Sequence, residues 1–403
     1  MTRRLPTALL WMGAVCVVAG ASWTRLQASL VGDNAGHDFQ TYYSAAARAL
    51  TDLGTPYAVD GYVYSPLVAL VVAGLLHTGG PLLWWNLLGV TCGVIALIAT
   101  WRTFAVELSG WRAPAFVMVG AGLLFWTWPV TLELFYGQSD LLVLAVFSVA
   151  LLAARRGRAA VFGALIGLAG LVKTWPLFAI IWVLQRGGTS RPSAVVAMCI
   201  VLLGGALAFT AILGPSFVPD WYGATRRNSV QPYLSYSAFG VGRDLFAEGT
   251  QFEPLVDSRW LRWAATAILG LWALAIGLVA LRRPHDERLA FWHLVGCGLL
   301  LLPVSHWFYL ILLVPIAWIH VVRLMSGRVS AGMVGAGLVV AAWWWIAFRS
   351  LDQGRTGYVT VVGATFVMVT VSVLRDAWLW RSNEGSVQET RKRTTVGHPT
   401  VVD

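Results

Sequence analysis

Six short polar clusters interrupt an otherwise apolar chain, and each holds a residue able to do acid–base or phosphate chemistry. The first is Gly36-His37-Asp38-Phe39-Gln40-Thr41-Tyr42-Tyr43. Asp38 opens an apparent amphipathic helix over 39–53, so its carboxylate can cap that helix or serve as a general base near a membrane surface. The second is Thr55-Pro56-Tyr57 with Tyr62-Val63-Tyr64-Ser65-Pro66. Proline is tolerated at a helix start, and the hydroxyls of Tyr57 and Tyr64 can position the loop or contact a sugar or phosphate. The third, Glu133 to Asp140, reads as a polar turn around Gly137, where Gln138 and Asp140 line a cavity or cap a helix.

Lys173 makes the fourth cluster, in Lys173-Thr174-Trp175-Pro176. It is the only lysine outside the C-terminal tail and lies between two short apolar stretches. An ionisable group at the membrane edge is a functional candidate unless it snorkels to water, and its natural partner is an anion such as a lipid phosphate. The fifth holds Arg226, Arg227 and Asn228. Arginine forks match phosphate oxygens, and salt bridges to nearby acids are the alternative. The sixth is Pro303-Val304-Ser305-His306-Trp307-Phe308-Tyr309, where His306 can bond a phosphate, an acceptor hydroxyl or another side chain.

Other chemistries lack their signatures. There is no phosphate-binding Walker loop, dinucleotide fingerprint, zinc-ligand spacing or nucleophile elbow. Sugar-nucleotide or ATP chemistry is therefore unsupported, and no cofactor or metal is assigned.

The elements that must position these residues are membrane helices. The chain has 403 residues, 58% of them hydrophobic and only 12% charged, against roughly 25% charged in soluble domains. The net charge of +10 does not point to nucleic acid, because the basic residues cluster in short connections between apolar runs, as in cytoplasmic loops. Cys16, Cys92, Cys199 and Cys297 all lie within apolar runs and read as packing thiols. The basic Thr2-Arg3-Arg4 start and its apolar run resemble a signal peptide but are read as an uncleaved first helix. The tryptophans at the expected outer ends, among them Trp84, Trp85, Trp126 and Trp343, read as an interfacial belt.

Candidate spans are 7–24, 82–100, 113–131, 139–154, 159–172, 174–185, 194–213, 261–281, 289–304, 307–322, 330–348 and 357–374. Residues 65–76 are apolar but too few to cross, and are read as re-entrant or interfacial. This yields an all-α polytopic domain over 1–380 with about twelve spans, both termini cytoplasmic, and outer segments 25–81 and 214–260. Residues 381–403 read as a disordered basic tail. On this division 19 of the 29 Lys+Arg, but 7 of the 19 Asp+Glu, lie inside, as the positive-inside rule requires.

The stretches HDFQTYYSAAARAL, GTPY, YVYSPLVAL, YGQSDLLVLAV, GLAGLVKTWPLF, RRNS and PVSHWFYLILLVP, in this order over roughly 36–315, resemble glycosyltransferase family 87. That family has the GT-C fold and includes mannosyl- and arabinosyltransferases of the actinobacterial envelope. The sequence departs from the family pattern at Ser65, where a second proline is common, and at the tight Ser305-His306 spacing. The resemblance implies a plasma-membrane enzyme that uses a polyprenyl-phosphate sugar donor and inverts the anomeric carbon. Mannose is favoured as the sugar and arabinofuranose is next; the acceptor would be a lipid-linked or envelope glycan on the outer side. It implies Asp38 as catalytic base and places the family's K-x-x-P motif on Lys173 and Pro176 and its G-Q turn on Gly137 and Gln138. The residue chemistry adds Lys173, Arg226, Arg227 and His306 as the groups to hold the donor phosphate, and His37, Tyr42, Tyr57, Tyr64, Gln138, Asp140 and Asn228 as substrate candidates. A transporter or lipid-linked sugar flippase is the competing expectation.

Overall fold

The computed structural model describes residues 4–185, 190–228, 234–327, 330–349 and 354–396. Every regular element among them is helical. Helix α1 (Arg4–Ser29) leads into a π-helical turn (Phe39–Ser44) that runs straight into α2 (Ala45–Leu53), so the helix expected over 39–53 is present with a widened first turn. Helix α3 (Pro66–Leu76) has 11 residues. At 1.5 Å per residue it is about 16 Å long, half of a hydrocarbon core, which fits the non-crossing role expected of 65–76.

Then follow α4 (Pro81–Thr103), α5 (Arg112–Phe125), α6 (Trp128–Tyr136), α7 (Asp140–Arg155) and α8 (Ala159–Val172). After a 3₁₀ turn (Trp175–Ala179) come α9 (Ile180–Gln185), α10 (Ser190–Leu213), α11 (Phe217–Asn228) and α12 (Ala238–Phe246). The last five are α13 (Arg259–Arg282), α14 (Glu287–Leu301), α15 (Val314–Met325, entered by the 3₁₀ turn Trp307–Leu313), α16 (Ala331–Arg349) and α17 (Arg355–Val396). Helix α17 thus continues into the segment expected to be a disordered tail, and side chains beyond 381 lie outside the described ones.

Six of these helices are long and apolar enough to cross a membrane. Helices α5 and α6 are long and apolar enough only as a pair, and they meet at a 60° bend, so the span expected as continuous over 113–131 is interrupted. The bend falls at Trp126-Thr127, just before Pro129, whose ring cannot continue a helix ladder. The other expected spans are shorter apolar helices. The protein is a polytopic, all-helical membrane protein.

Its solvent is visible in what it exposes. Only 6% of the most apolar window of α10 is buried, and Ile200, Leu203 and Leu207 point outward. In water such a surface would be untenable; in lipid it costs nothing. The 307–325 segment is the opposite case, 72% buried, and forms the centre of the bundle. Helices α8 and α10 approach through Gly163 and Gly167, where a Cβ at Gly163 would sit 1.8 Å from the Ala194 carbonyl oxygen. This is the close small-residue packing that membranes favour.

Helices α7 and α14 run antiparallel between two polar ends. At one end Asp140 opens α7 beside Lys173, and Leu302 and Pro303 follow α14. At the other, Arg155 closes α7 3.6 Å from Glu287, which opens α14. With 16 residues in α7, the two ends are about 24 Å apart. Exposed positions 60 and 156 therefore belong to opposite faces. If the basic α7–α8 connection is cytoplasmic, as the positive-inside rule expects, then with the background thiols removed Asp60→Cys should react with an impermeant maleimide added to intact cells and Arg156→Cys only after the membrane is opened. Labelling of both from outside would break this topology.

Candidate active site

The turn between α6 and α7 is the anchor of the site. Gly137 ends α6 with φ +74° in the left-handed region, and a Cβ there would meet that of Phe39 at 2.6 Å. Only glycine permits both the turn and the approach of the first loop. That loop docks by the Gly36 N–H donating to the Phe135 carbonyl at 2.6 Å. Trp85 Nε1 donates to the carbonyls of Gly137 and Gln138 at 2.9 and 3.1 Å, fixing the turn from α4. This tryptophan is buried and bonded to the turn, whereas Trp84 beside it is exposed as an interfacial belt residue would be.

The docking brings Asp38 against Gln138. Gln138 Nε2 donates to Asp38 Oδ2, and His37 Nδ1 lies 3.1 Å from Oδ1. The Asp38 carboxylate makes no capping bond to the helix it precedes, so capping does not account for it. Gln138 is itself oriented from behind, since its Oε1 accepts from the hydroxyls of Tyr43 at 3.3 Å and Tyr64 at 3.1 Å. Those two bonds assign the amide so that its N–H₂ faces the carboxylate. The Tyr43 hydroxyl reaches Gln138 from the π-helical turn, a feature frequent at functional sites.

Lys173 follows α8 in an extended conformation, its N–H still donating to Ala169. Pro176 prevents the helix from continuing, so the side chain turns inward. Its ammonium donates to both oxygens of Asp140, at 2.7 and 2.8 Å, and both side chains are essentially buried. It also sits 4.4 Å from the centre of the Tyr309 ring and 5.7 Å from that of Tyr64, within cation–π range. Glu133, fully buried on α6, accepts the N–H groups of Asp140 and Leu141 and so caps α7 from the side.

Asp38, Tyr42, Tyr64, Gln138, Lys173 and His306 line one cavity of about 430 Å³, together with Tyr136, Trp175, Thr225 and Tyr309. Among the described residues, Asp38 is the only carboxylate on its wall. Trp175 Nε1 is buried without a hydrogen-bond partner. His306 stacks on Phe308 with centroids 5.1 Å apart. Its backbone is held because Ser305 N–H donates to Ser235 Oγ and the Tyr236 N–H donates to the Ser305 carbonyl. Loss of hydration, followed by the nearby Lys173 and Arg243 charges, pushes the His306 imidazole down to about 3. It is therefore neutral at physiological pH, a hydrogen-bonding group and not a cation.

Several expected site residues stand elsewhere. Asp140 does not line the cavity; burial and the bidentate contact commit it to Lys173. Tyr57 donates its hydroxyl to the Tyr64 carbonyl at 3.2 Å and so braces the loop. His37 is half exposed and reaches the cavity only through Asp38. Arg226 and Arg227 are exposed on α11 and do not line the cavity, though Thr225 beside them does. Arg227 lines a separate small pocket with Tyr57 and Asp220. The Asn228 side chain lies outside the described ones. Sequence reasoning passed over Glu133 and Tyr309. The signal for Glu133 is a carboxylate one turn before a glycine that precedes a new helix. That for Tyr309 is its i+3 spacing from His306 on a tight turn. No three His, Cys, Asp or Glu side chains among the described residues converge to hold a metal ion.

The helical membrane bundle thus holds a cavity on whose wall, among the described residues, one carboxylate and one caged ammonium meet. Residues 62–305 match the sequence profile of glycosyltransferase family 87. That is more than half of the chain, and the protein belongs to this family. The match spans Tyr64, Gln138, Asp140 and Lys173; Asp38 lies before it and His306 one residue after it. A search of the curated proteins found no match.

Two outcomes follow from the geometry. Asp140→Ala strands the Lys173 charge in apolar surroundings, which should cost about 3–5 kcal/mol. The detergent-solubilised variant should melt well below wild type, and Asp140→Ala/Lys173→Met should recover much of the loss. A double variant no more stable than the single one would mean the pair is not what holds this region. Because burial and the nearby Lys173 and Arg243 charges hold the His306 imidazole well below its usual range, His306→Gln should change the level of activity without moving the acidic limb of the rate–pH profile between pH 5 and 7. Disappearance of that limb in the variant would assign the titration to His306 after all.

Proposed function

We propose that this glycosyltransferase takes its sugar from a polyprenyl-phosphate donor and passes it, with inversion, to a hydroxyl of a lipid-linked or cell-envelope glycan on the outer side of the membrane. The observation that carries this reading is the shared cavity: one carboxylate, Asp38, and one buried ammonium, Lys173, line the same space. A lipid phosphate is already a good leaving group and needs a cation more than a general acid. An alcohol acceptor needs one base. Double displacement would need a second carboxylate about 5 Å from the first, and none lines the cavity among the described residues.

The acceptor oxygen attacks the anomeric carbon as the bond from that carbon to the phosphate oxygen breaks. The hydroxyl proton passes to Asp38, and polyprenyl phosphate departs with the bonding pair. Gln138 holds Asp38 in place through its amide. Lys173 meets the charge that grows on the departing phosphate, and His306 offers a neutral hydrogen bond. The aromatic walls, Tyr64, Trp175 and Tyr309, suit the apolar faces of a sugar ring. Mannose is the favoured sugar and arabinofuranose the next. Arg226 and Arg227, at the rim beside Thr225, would guide the anionic head group toward the cavity.

Membranes holding the protein, supplied with radiolabelled polyprenyl-phosphate mannose or arabinose and an envelope-lipid acceptor fraction, should transfer label from one donor. Asp38→Asn keeps the size and the bond partners of the carboxylate but cannot take the proton. Its transfer rate should fall roughly 10²–10⁴-fold with donor binding retained. A rate close to wild type in the folded variant would remove Asp38 from the role of base.

A further inference from the structure

The end of the bundle opposite the candidate active site holds a second and larger cavity, of about 940 Å³. Seven elements converge on it: the α4–α5 connection, the start of α5, the last turn of α7, the start of α14, the end of α15, the start of α16 and α17. Its floor is a closed ion-pair network. Arg288 donates to Glu107 at 2.7 Å and to Asp286 at 2.9 Å, and its guanidinium lies 4.0 Å from the Phe104 ring centre. Arg323 donates to Asp376 at 2.9 Å. These two arginines are consumed by three acids, so they hold the helix ends together and leave little positive potential to offer.

The wall differs from the floor. Arg112 lines the cavity and has no acidic partner among the described residues. Arg155 lines it too, with only a loose 3.6 Å contact to a half-exposed Glu287. Arg112 is the first residue of α5, and the preceding Trp111 supplies no side-chain cap. The open N–H groups of that first turn add to the positive field. Two arginines and an uncapped helix start, gathered in a cavity, are what a phosphate needs. The lip is apolar: Val106 is 90% exposed and lines the opening, and Trp111 is 57% exposed beside Arg112. Exposed apolar side chains at a membrane helix end face the lipid interface.

We propose that this cavity binds a phosphate group through Arg112 and Arg155, and that its apolar lip selects phospholipid head groups over free phosphate. The site is separate from the donor cavity, about 24 Å away along α7, and serves a membrane phospholipid, not the sugar donor. Bound there, a head group would tie α5 to α7 where the ion pairs of the floor do not reach.

The test uses the full chain, purified in detergent and stripped of lipid. Its melting temperature is followed as short-chain phosphatidylglycerol, the matching short-chain diacylglycerol or inorganic phosphate is added. Phosphatidylglycerol should raise it saturably, and diacylglycerol should not. Arg112→Gln, at a partly exposed position without an ion pair to lose, should fold normally and raise the half-saturating lipid concentration roughly tenfold or more. Arg112→Gln/Arg155→Gln should abolish the response. An equal response to inorganic phosphate at the same concentration would refute selection by the lip. A response unchanged in Arg112→Gln, or none in wild type, would overturn the site itself.

Discussion

The active-site end of the molecule depends on keeping one ammonium group in an apolar surround. A charge taken from water into protein costs several kcal/mol unless a partner and hydrogen bonds replace its hydration. Lys173 has both, from the two oxygens of Asp140 and the faces of Tyr309 and Tyr64. The requirement then moves back one step. Asp140 stands at the first turn of α7, where the helix dipole favours a negative group. Glu133 satisfies the N–H groups of Asp140 and Leu141 and so fixes where α7 begins. Helices α6, α7 and α8 are thus registered against one another by a chain of three ionisable side chains, Glu133, Asp140 and Lys173. The turn that links the first two of these, at Gly137, is also the surface on which the loop of Asp38 docks. One electrostatic demand therefore places both the cation and the carboxylate.

Much of this could be read in the sequence, and the reason is the membrane. Lipid makes apolar length the dominant signal, so segments with boundaries such as 82–100, 194–213 and 261–281 reappear within a few residues as α4, α10 and α13. Polar residues are expensive in such surroundings, and the few that persist mark themselves. Asp38, Gln138, Lys173 and His306 stood out for that reason, and the structure brings them to one cavity. The pairing was not legible. Lys173 pointed to an anion, but nothing within four residues of it named Asp140, 33 positions away, as the anion. The bend between α5 and α6 escaped because hydrophobicity continues through it; Pro129 was the available sign. Arg226 and Arg227 suggested phosphate by type alone. Side-chain type does not say which face of α11 turns inward, and it is the face of Phe217, Trp221 and Ala224.

The unusual economy of charge at the cavity bears on how the proposed chemistry can work. The ammonium of Lys173 is already shared with Asp140, and His306 is neutral. Among the described residues the cavity therefore presents no surplus cation on its wall, which suits the proposed passage of an acceptor glycan and an aliphatic lipid as well as a phosphate. A phosphodiester donor carries one negative charge, and the departing polyprenyl phosphate carries more. An ammonium held between a carboxylate and a phosphate interacts more strongly with whichever is more charged. As the bond to the anomeric carbon breaks, the attraction of Lys173 for the leaving group rises while its attraction for Asp140 stays constant. Stabilisation then grows along the reaction instead of being spent on binding the donor, and that differential is what accelerates a chemical step. A free, unpaired lysine in the same place would hold the ground-state phosphate tightly and gain less at the transition state. On this argument Asp140, which does not line the cavity, is as much a part of the proposed catalytic design as the cation it restrains.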